Sequence, residues 1–175
     1  MSRPLHLPFD PIERAAELWE QHFGPAAAMR VATSVMRAQQ LLLSQFDAIL
    51  RPHGLTFARY EALVLLHFSR SGELPLSVIG QRLMVHPTSV TNTIDRLAGQ
   101  ELVERRPNPR DGRGVLATLT PAGRELVERA TRDLMAEGFG LAGYDDEQLD
   151  VLFGLLRELR LQAGDFRDPP LGGTG

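Results

Sequence analysis

The chain has 175 residues, 43% of them hydrophobic and 23% charged, which suits a soluble fold of one domain or of a domain with extended arms. It contains no cysteine, which excludes disulfides, thiolate metal ligands and cysteine-based redox sensing. Net charge is −3, no apolar run reaches the length of about 18 residues that a membrane span needs, and no basic-then-apolar leader opens the chain, so the sequence reads as a cytoplasmic protein with no membrane partner.

Residues 1–9 read as a loose tail. Asp10-Pro11-Ile12-Glu13 then opens a helix, with aspartate at the cap, proline in the first turn and glutamate at the capping-box position. Ile12, Ala15, Ala16, Trp19 and Phe23 keep helical spacing until Gly24-Pro25 breaks it. So short a helix holds its shape only when docked on something. A long helix follows over about 26–50, with a stripe of Val31, Val35, Ala38, Leu42, Phe46 and Ile49, flanked by Met29, Met36 and Leu43. Pro52-His53-Gly54 ends it. Thr56 is placed to cap the next helix, which runs to about Phe68 through Tyr60, Leu63, Val64 and His67. After a polar turn around Gly72, Leu76 is placed to add a short strand to a small sheet, and Ser77 to cap a short helix ending near Met84.

The stretch from His86 to Arg124 carries the most information. Pro87 suits a first helical position, where its missing N–H has no helical partner anyway. Val90, Ile94 and Leu97 fall on one face, while Thr88, Ser89, Thr91, Asn92, Asp95 and Arg96 cover the opposite arc. Slender side chains that both donate and accept hydrogen bonds are what a helix entering a DNA groove needs. Two apolar-alternating runs follow, Leu102 to Arg106 and Val115 to Leu119, around the turn sequence PNPRDGRG. They predict a β-hairpin with arginines at its tip, Arg110 and Arg113 among them, and strand alternation sends Arg105 and Arg106 to opposite faces. Ser77 to Arg124 holds seven arginines against four acids, a net +3, on a body that is −6 elsewhere. That asymmetry suits one face meeting phosphate. Every Lys-or-Arg position in the chain is arginine.

Thr120-Pro121 signals another helix, to about Glu137, with Leu126, Val127, Ala130 and Leu134 inward. Gly138, Gly140 and Gly143 loosen the chain, and Asp145-Asp146-Glu147-Gln148 starts a last helix with acids at its positive end. Leu149, Leu152, Phe153, Leu156 and Leu159 form its stripe, and a Pro/Gly-rich tail follows from Gly164.

Leu76-Ser77, Ile79, Leu83, Thr88-Ser89-Val90-Thr91, Ile94-Asp95-Arg96-Leu97, Leu102-Val103-Glu104-Arg105, Asp111-x-Arg113-Gly114-Val115 and Leu119-Thr120-Pro121-x-Gly123 form a dense, ordered run. It resembles the winged-helix core of the MarR family of bacterial transcription regulators. Two places depart from the family pattern: Gly112 stands where a basic residue is common, and Gly99-Gln100-Glu101 where a basic residue and a glycine usually precede the strand. The resemblance implies a mainly α fold with a small β-wing, a winged helix-turn-helix flanked by N- and C-terminal dimerisation helices. Its expected divisions are 10–54 for the N-terminal helices, 55–123 for the DNA-binding module and 124–163 for the C-terminal helices, with tails at 1–9 and 164–175.

The implied function is a ligand-responsive repressor acting as a homodimer on a near-palindromic double-stranded operator. The candidate DNA contacts are Thr88, Ser89, Thr91, Asn92, Arg96, Arg110 and Arg113. Arg113 is placed near the minor groove, and the resemblance pairs it with Asp95 to brace the wing. His86 sits at the cap of the same helix, and Arg82 on the helix before it. The competing class is a protein-interaction module on a degenerate winged helix. Proteins of this family release DNA when a small anionic or aromatic compound binds between the dimer helices and the winged helix; the candidate lining residues are Trp19, Met36, Arg37, Tyr60 and His67. Trp19 on an extra N-terminal helix is similar to the urate-responsive branch, with Glu61 at the place of its second-helix acid, but His67-Phe68 stands where that branch has an arginine. The five histidines lack metal-ligand spacing, so no metal or other cofactor is expected. No nucleophile elbow, P-loop or dinucleotide fingerprint occurs, so the chain does not read as an enzyme.

Overall fold

A computed structural model of the chain describes residues 6–109, 111 and 114–167. It divides into two compact units, one ending at Gly140 and the other starting at Leu141.

The first unit opens with α1 (Pro11–His22), capped by Asp10, whose Oδ1 accepts from the Ile12 N–H at 2.8 Å. α1 packs on α2 (Ala27–Leu50) around two buried alanines, Ala16 and Ala26, with Arg30 paired to Glu13 at 3.1 Å. Beyond that contact the middle of α2 is bare: Val31 is 61% exposed and Met36 58%. The helix enters the core only at its end, through Phe46 and Leu50. A 3-10 turn (Arg51–His53) and Gly54 at φ +69° then reverse the chain. His53 fastens that turn, its Nε2 lying 2.7 Å from Asp133 Oδ2.

α3 (Phe57–Phe68) starts at Thr56, but the threonine does not cap it with its side chain. Its hydroxyl accepts from Arg59, and Asp47, reaching over from α2, accepts the Phe57 N–H at 2.9 Å instead. β1 (Glu73–Pro75) comes next, followed directly by α4 (Leu76–Leu83). The short strand therefore ends before Leu76, and Ser77 lies inside α4 rather than at its cap. Pairing of Pro75 with Leu116 holds the residue before the helix extended, which fixes the helix start two places earlier than a Ser77 cap would.

α5 (Pro87–Ala98) follows a turn in which Met84 takes φ +55°. β2 (Val103–Pro107) and β3 (Val115–Leu119) form the hairpin, and the antiparallel sheet runs β1-β3-β2. Ala117, opposite both Leu74 and Arg105, is fully buried and small enough for α3 to pack over the central strand. Between α5 and β2 the chain turns at Glu101, φ +60°, where the family resemblance expects glycine. The turn is thus kept with an L-residue in the left-handed region, at a cost of about 1–2 kcal/mol. The start of α6 (Pro121–Ala136) clasps it: Thr120 Oγ1 donates to the Glu101 carbonyl at 2.9 Å and accepts from the Gly123 N–H at 3.0 Å. A Cβ on Gly123 would lie 2.2 Å from the Leu102 carbonyl oxygen, so only glycine lets α6 approach this closely. A 3-10 turn (Gly138–Gly140) closes the unit, with Phe139 edge-on to Phe46.

The core gathers Leu50, Leu63, Leu66, Ile79, Ile94, Leu97, Val103, Val127 and Leu134, all less than 2% exposed or nearly so. Each such side chain removed from water contributes about 1.5–3 kcal/mol. Because Ile94 and Leu97 belong to this set, α5 is held rigidly by one face and presents the other.

The second unit is α7 (Asp146–Gln162) with its lead-in. Asp145 and Gln148 form a capping box. None of the helix residues is buried; Val151, Phe153, Leu155 and Leu159 are all more than half exposed. Among the described residues, no helix is long and apolar enough to cross a membrane.

Candidate nucleic-acid interface

The fixed face of α5 is Val90, Ile94 and Leu97; the remaining arc, Thr88, Ser89, Thr91, Asn92, Asp95 and Arg96, is exposed. Six candidate residues named from the sequence thus stand together on one surface. Their hydrogen-bonding capacity differs. Thr91 donates its hydroxyl to the Pro87 carbonyl at 3.1 Å, so its oxygen faces outward as an acceptor. His86 is the N-cap, its Nδ1 accepting the Thr88 N–H at 3.3 Å.

The wing lies beside this helix. Arg105 on β2 forms an ion pair with Asp95. The sequence assigned Asp95 to Arg113; that residue and Arg110 lie outside the described residues, and the partner observed is Arg105. Strand alternation carries the signal: Arg105 shares a strand face with Val103, which is buried, so it points back toward α5. Arg106 points the other way and pairs with Glu104 on the same side of its strand. At the hairpin tip, Asn108 accepts from Asp111 at 3.1 Å, Asp111 from Gly114 at 2.8 Å, and Gly114 from Asn108 at 2.9 Å, all main chain. A cleft of about 710 Å³ separates the wing from the helix pair, lined among others by Ser77, Gln81, Met84, Thr91, Arg105 and Asn108. Across α4, the turn and α5, the surface is a helix-turn-helix with a basic strand against its second helix.

The candidate effector residues are not gathered in one place within the chain. Tyr60 and His67 line a cleft of about 400 Å³ between α3 and α6, together with Val64, Val127, Thr131 and Arg132. Tyr60 is bonded to Thr131 through its hydroxyl at 3.0 Å, and Arg124 donates to His67 Nδ1 at 3.4 Å. Trp19, Met36 and Arg37 lie elsewhere, on α1 and α2. Trp19 packs against Phe23, and Arg37 bonds Gln40. Glu61 is half-buried on α3, and burial raises its carboxyl above the usual carboxylate range. No group of three or more His, Asp or Glu that could hold a metal occurs among the described residues.

Known proteins share this arrangement. Residues 53–114 match the model of the MarR family. A MarR family transcriptional regulator of Streptomyces coelicolor, known at near atomic resolution, is 63% identical, with a TM-score of 0.76 over 81% of this chain and 99% of that one. A second MarR family regulator from the same organism, solved in complex with DNA, is 25% identical, with a TM-score of 0.70 over 77% of this chain and 86% of its own. The HTH-type transcriptional regulator YhbI of Bacillus subtilis (strain 168) is 33% identical over 141 residues, which cover 80% of this chain and 84% of that protein. The likeness extends well beyond the helix-turn-helix and wing into the flanking helices, and on that breadth the chain belongs to the MarR family and is a DNA-binding transcription regulator.

Proposed function

We propose that the protein is a homodimeric repressor that reads a near-palindromic double-stranded operator and releases it when a small anionic or aromatic effector binds. Its role is regulatory rather than catalytic, it acts in the cytoplasm, and it uses no cofactor. The observation that carries this reading is the pairing of a polar, donor-and-acceptor face on α5 with a buried stripe that fixes the helix. In the major groove, Thr88, Ser89, Thr91, Asn92 and Arg96 meet base edges and phosphates. For Arg110 and Arg113 the expected role is contact with DNA, in the case of Arg113 by family resemblance at a minor groove, where narrow width favours guanidinium.

The dimer follows from surface that one chain leaves uncovered. Apolar side chains of α2, Val31, Val35 and Met36, and of α7, Val151, Phe153, Leu155 and Leu159, face solvent. Patches of this kind mark interaction surfaces. A second copy is the economical cover, since twofold protein symmetry matches a palindrome. For the effector, the α3–α6 cleft falls within the usual range of ligand pockets, and His67 and Arg132 suit an anionic or aromatic ring compound.

Selection of duplexes from a random pool by the purified protein tests the reading. Enrichment of an inverted repeat is the expected result. A pool that stays random would leave the protein-interaction module as the function of the winged helix.

A further inference from the structure

His86 is absorbed neither by the core nor by any ion pair, yet it occupies the end of α5 that enters the groove first. Its ring is exposed and fixed by one bond: Nδ1 accepts the Thr88 N–H. An acceptor nitrogen carries no proton, so the neutral ring holds its proton on Nε2. Among the described residues Nε2 has no hydrogen-bond partner. The cap therefore selects a tautomer and leaves a directed N–H donor on the exposed edge of the ring.

We propose that His86 is a DNA-contacting residue that donates a neutral Nε2–H hydrogen bond to a backbone phosphate, with its Nδ1 cap setting the direction of that donor. A phosphate is the fitting acceptor: a single donor at a helix N-terminus carries no bidentate code for a base, and such contacts set register on the duplex.

The test separates the two jobs of the ring. His86→Ser keeps a side-chain cap of the preferred type and removes the donor's reach. With the full-length protein and any duplex long enough to cover both half-sites, its affinity falls about ten- to a hundredfold, the size of two neutral hydrogen bonds, one from each copy of the dimer. Thermal stability stays at the wild-type value. The slope of log affinity against log salt also stays unchanged, because no cation has been removed. His86→Ala loses cap and donor together, and falls in both affinity and stability. Wild-type affinity in the serine variant would overturn the proposal, because the ring would then not touch DNA. A slope shallower by about two units, one for each copy of the dimer, would overturn it too, because the ring would then bind as imidazolium. Two-bond 1H–15N correlation on the wild-type protein reads the tautomer directly and does not depend on how any variant folds. The Nε2–H form is expected both free and DNA-bound; an Nδ1–H ring or an imidazolium in the complex contradicts the proposal.

Discussion

Asn92 sits on the exposed arc of α5 with Ser89 and Arg96, three and four residues away and hence on one side of the helix. Its amide donates and accepts through one planar group, the pattern that adenine's major-groove edge presents. Asn92→Ala should lower affinity for a selected operator by about 1–3 kcal/mol per half-site and relax preference at one base pair in each. Fluorescence anisotropy on the operator and on a scrambled duplex checks this, and equal losses on both would remove Asn92 from base readout. Glu61 gives a prediction of a different kind. Burial makes its charged form costly, so the folded carboxyl holds its proton to a higher pH than the unfolded one. Wild-type stability therefore falls as pH rises through the interval above the ordinary value of 4.5. Glu61→Gln removes that cost, so its melting temperature should exceed the wild type's at neutral pH. The gain should vanish as pH is lowered through the interval. A gain that persists in acid would assign the effect to packing instead.

Between elements, the contact of α5 with β2 decides how the wing is held. Asp95 on the DNA-facing arc would repel phosphate if bare, and Arg105 neutralises it. Both side chains are more than a third exposed, so the pair contributes little to stability, about 0.2–1 kcal/mol. We propose that its value lies in preorganising the wing, which would lower the ordering cost of binding. Asp95→Ala should then weaken operator binding at fixed salt even though it removes a negative charge from the DNA face. Tighter binding by Asp95→Ala would mean simple charge repulsion and no brace. The same contact marks the limit of what one sequence shows. Asp10 and Thr120 were legible as caps because each bonds an N–H two or three residues away, whereas Asp145, which caps α7, was legible only as one of several acids at a helix start. Thr56 and Ser77 have the same local chemistry and do not cap. Asp47 from α2 takes the first site, and the pairing of β1 with β3 moves the second helix start. Arg105 was readable as a residue facing α5 from strand parity with Val103. Its choice of Asp95 depends on how the hairpin lies against the helix.

At the scale of the whole molecule, the winged helix-turn-helix was readable because its signals are dense and local: a two-faced helix, a turn sequence and a glycine that admits Leu102 within contact of α6. The effector residues were not, because periodicity names a face but not its neighbour. Tyr60 and His67, both on α3, line a cleft against α6, while Trp19, Met36 and Arg37 sit on helices whose apolar faces one chain leaves open. That open surface is what makes assembly and operator symmetry a single question. If two copies are joined, their recognition helices sit a fixed distance apart and match half-sites about one helical turn apart, roughly 10–10.5 base pairs. The direct measurement is affinity, by anisotropy, for the selected operator against the same operator with about five base pairs inserted between its half-sites, half a helical turn. A joined dimer cannot reach both half-sites once they lie on opposite faces of the duplex, so affinity should collapse toward that of a scrambled sequence, and an insertion of one full turn should restore part of it only if the flanking helices can flex. Unchanged affinity after the half-turn insertion would mean that single copies bind each half-site independently, and would contradict the account of this protein as a dimeric reader of a palindrome.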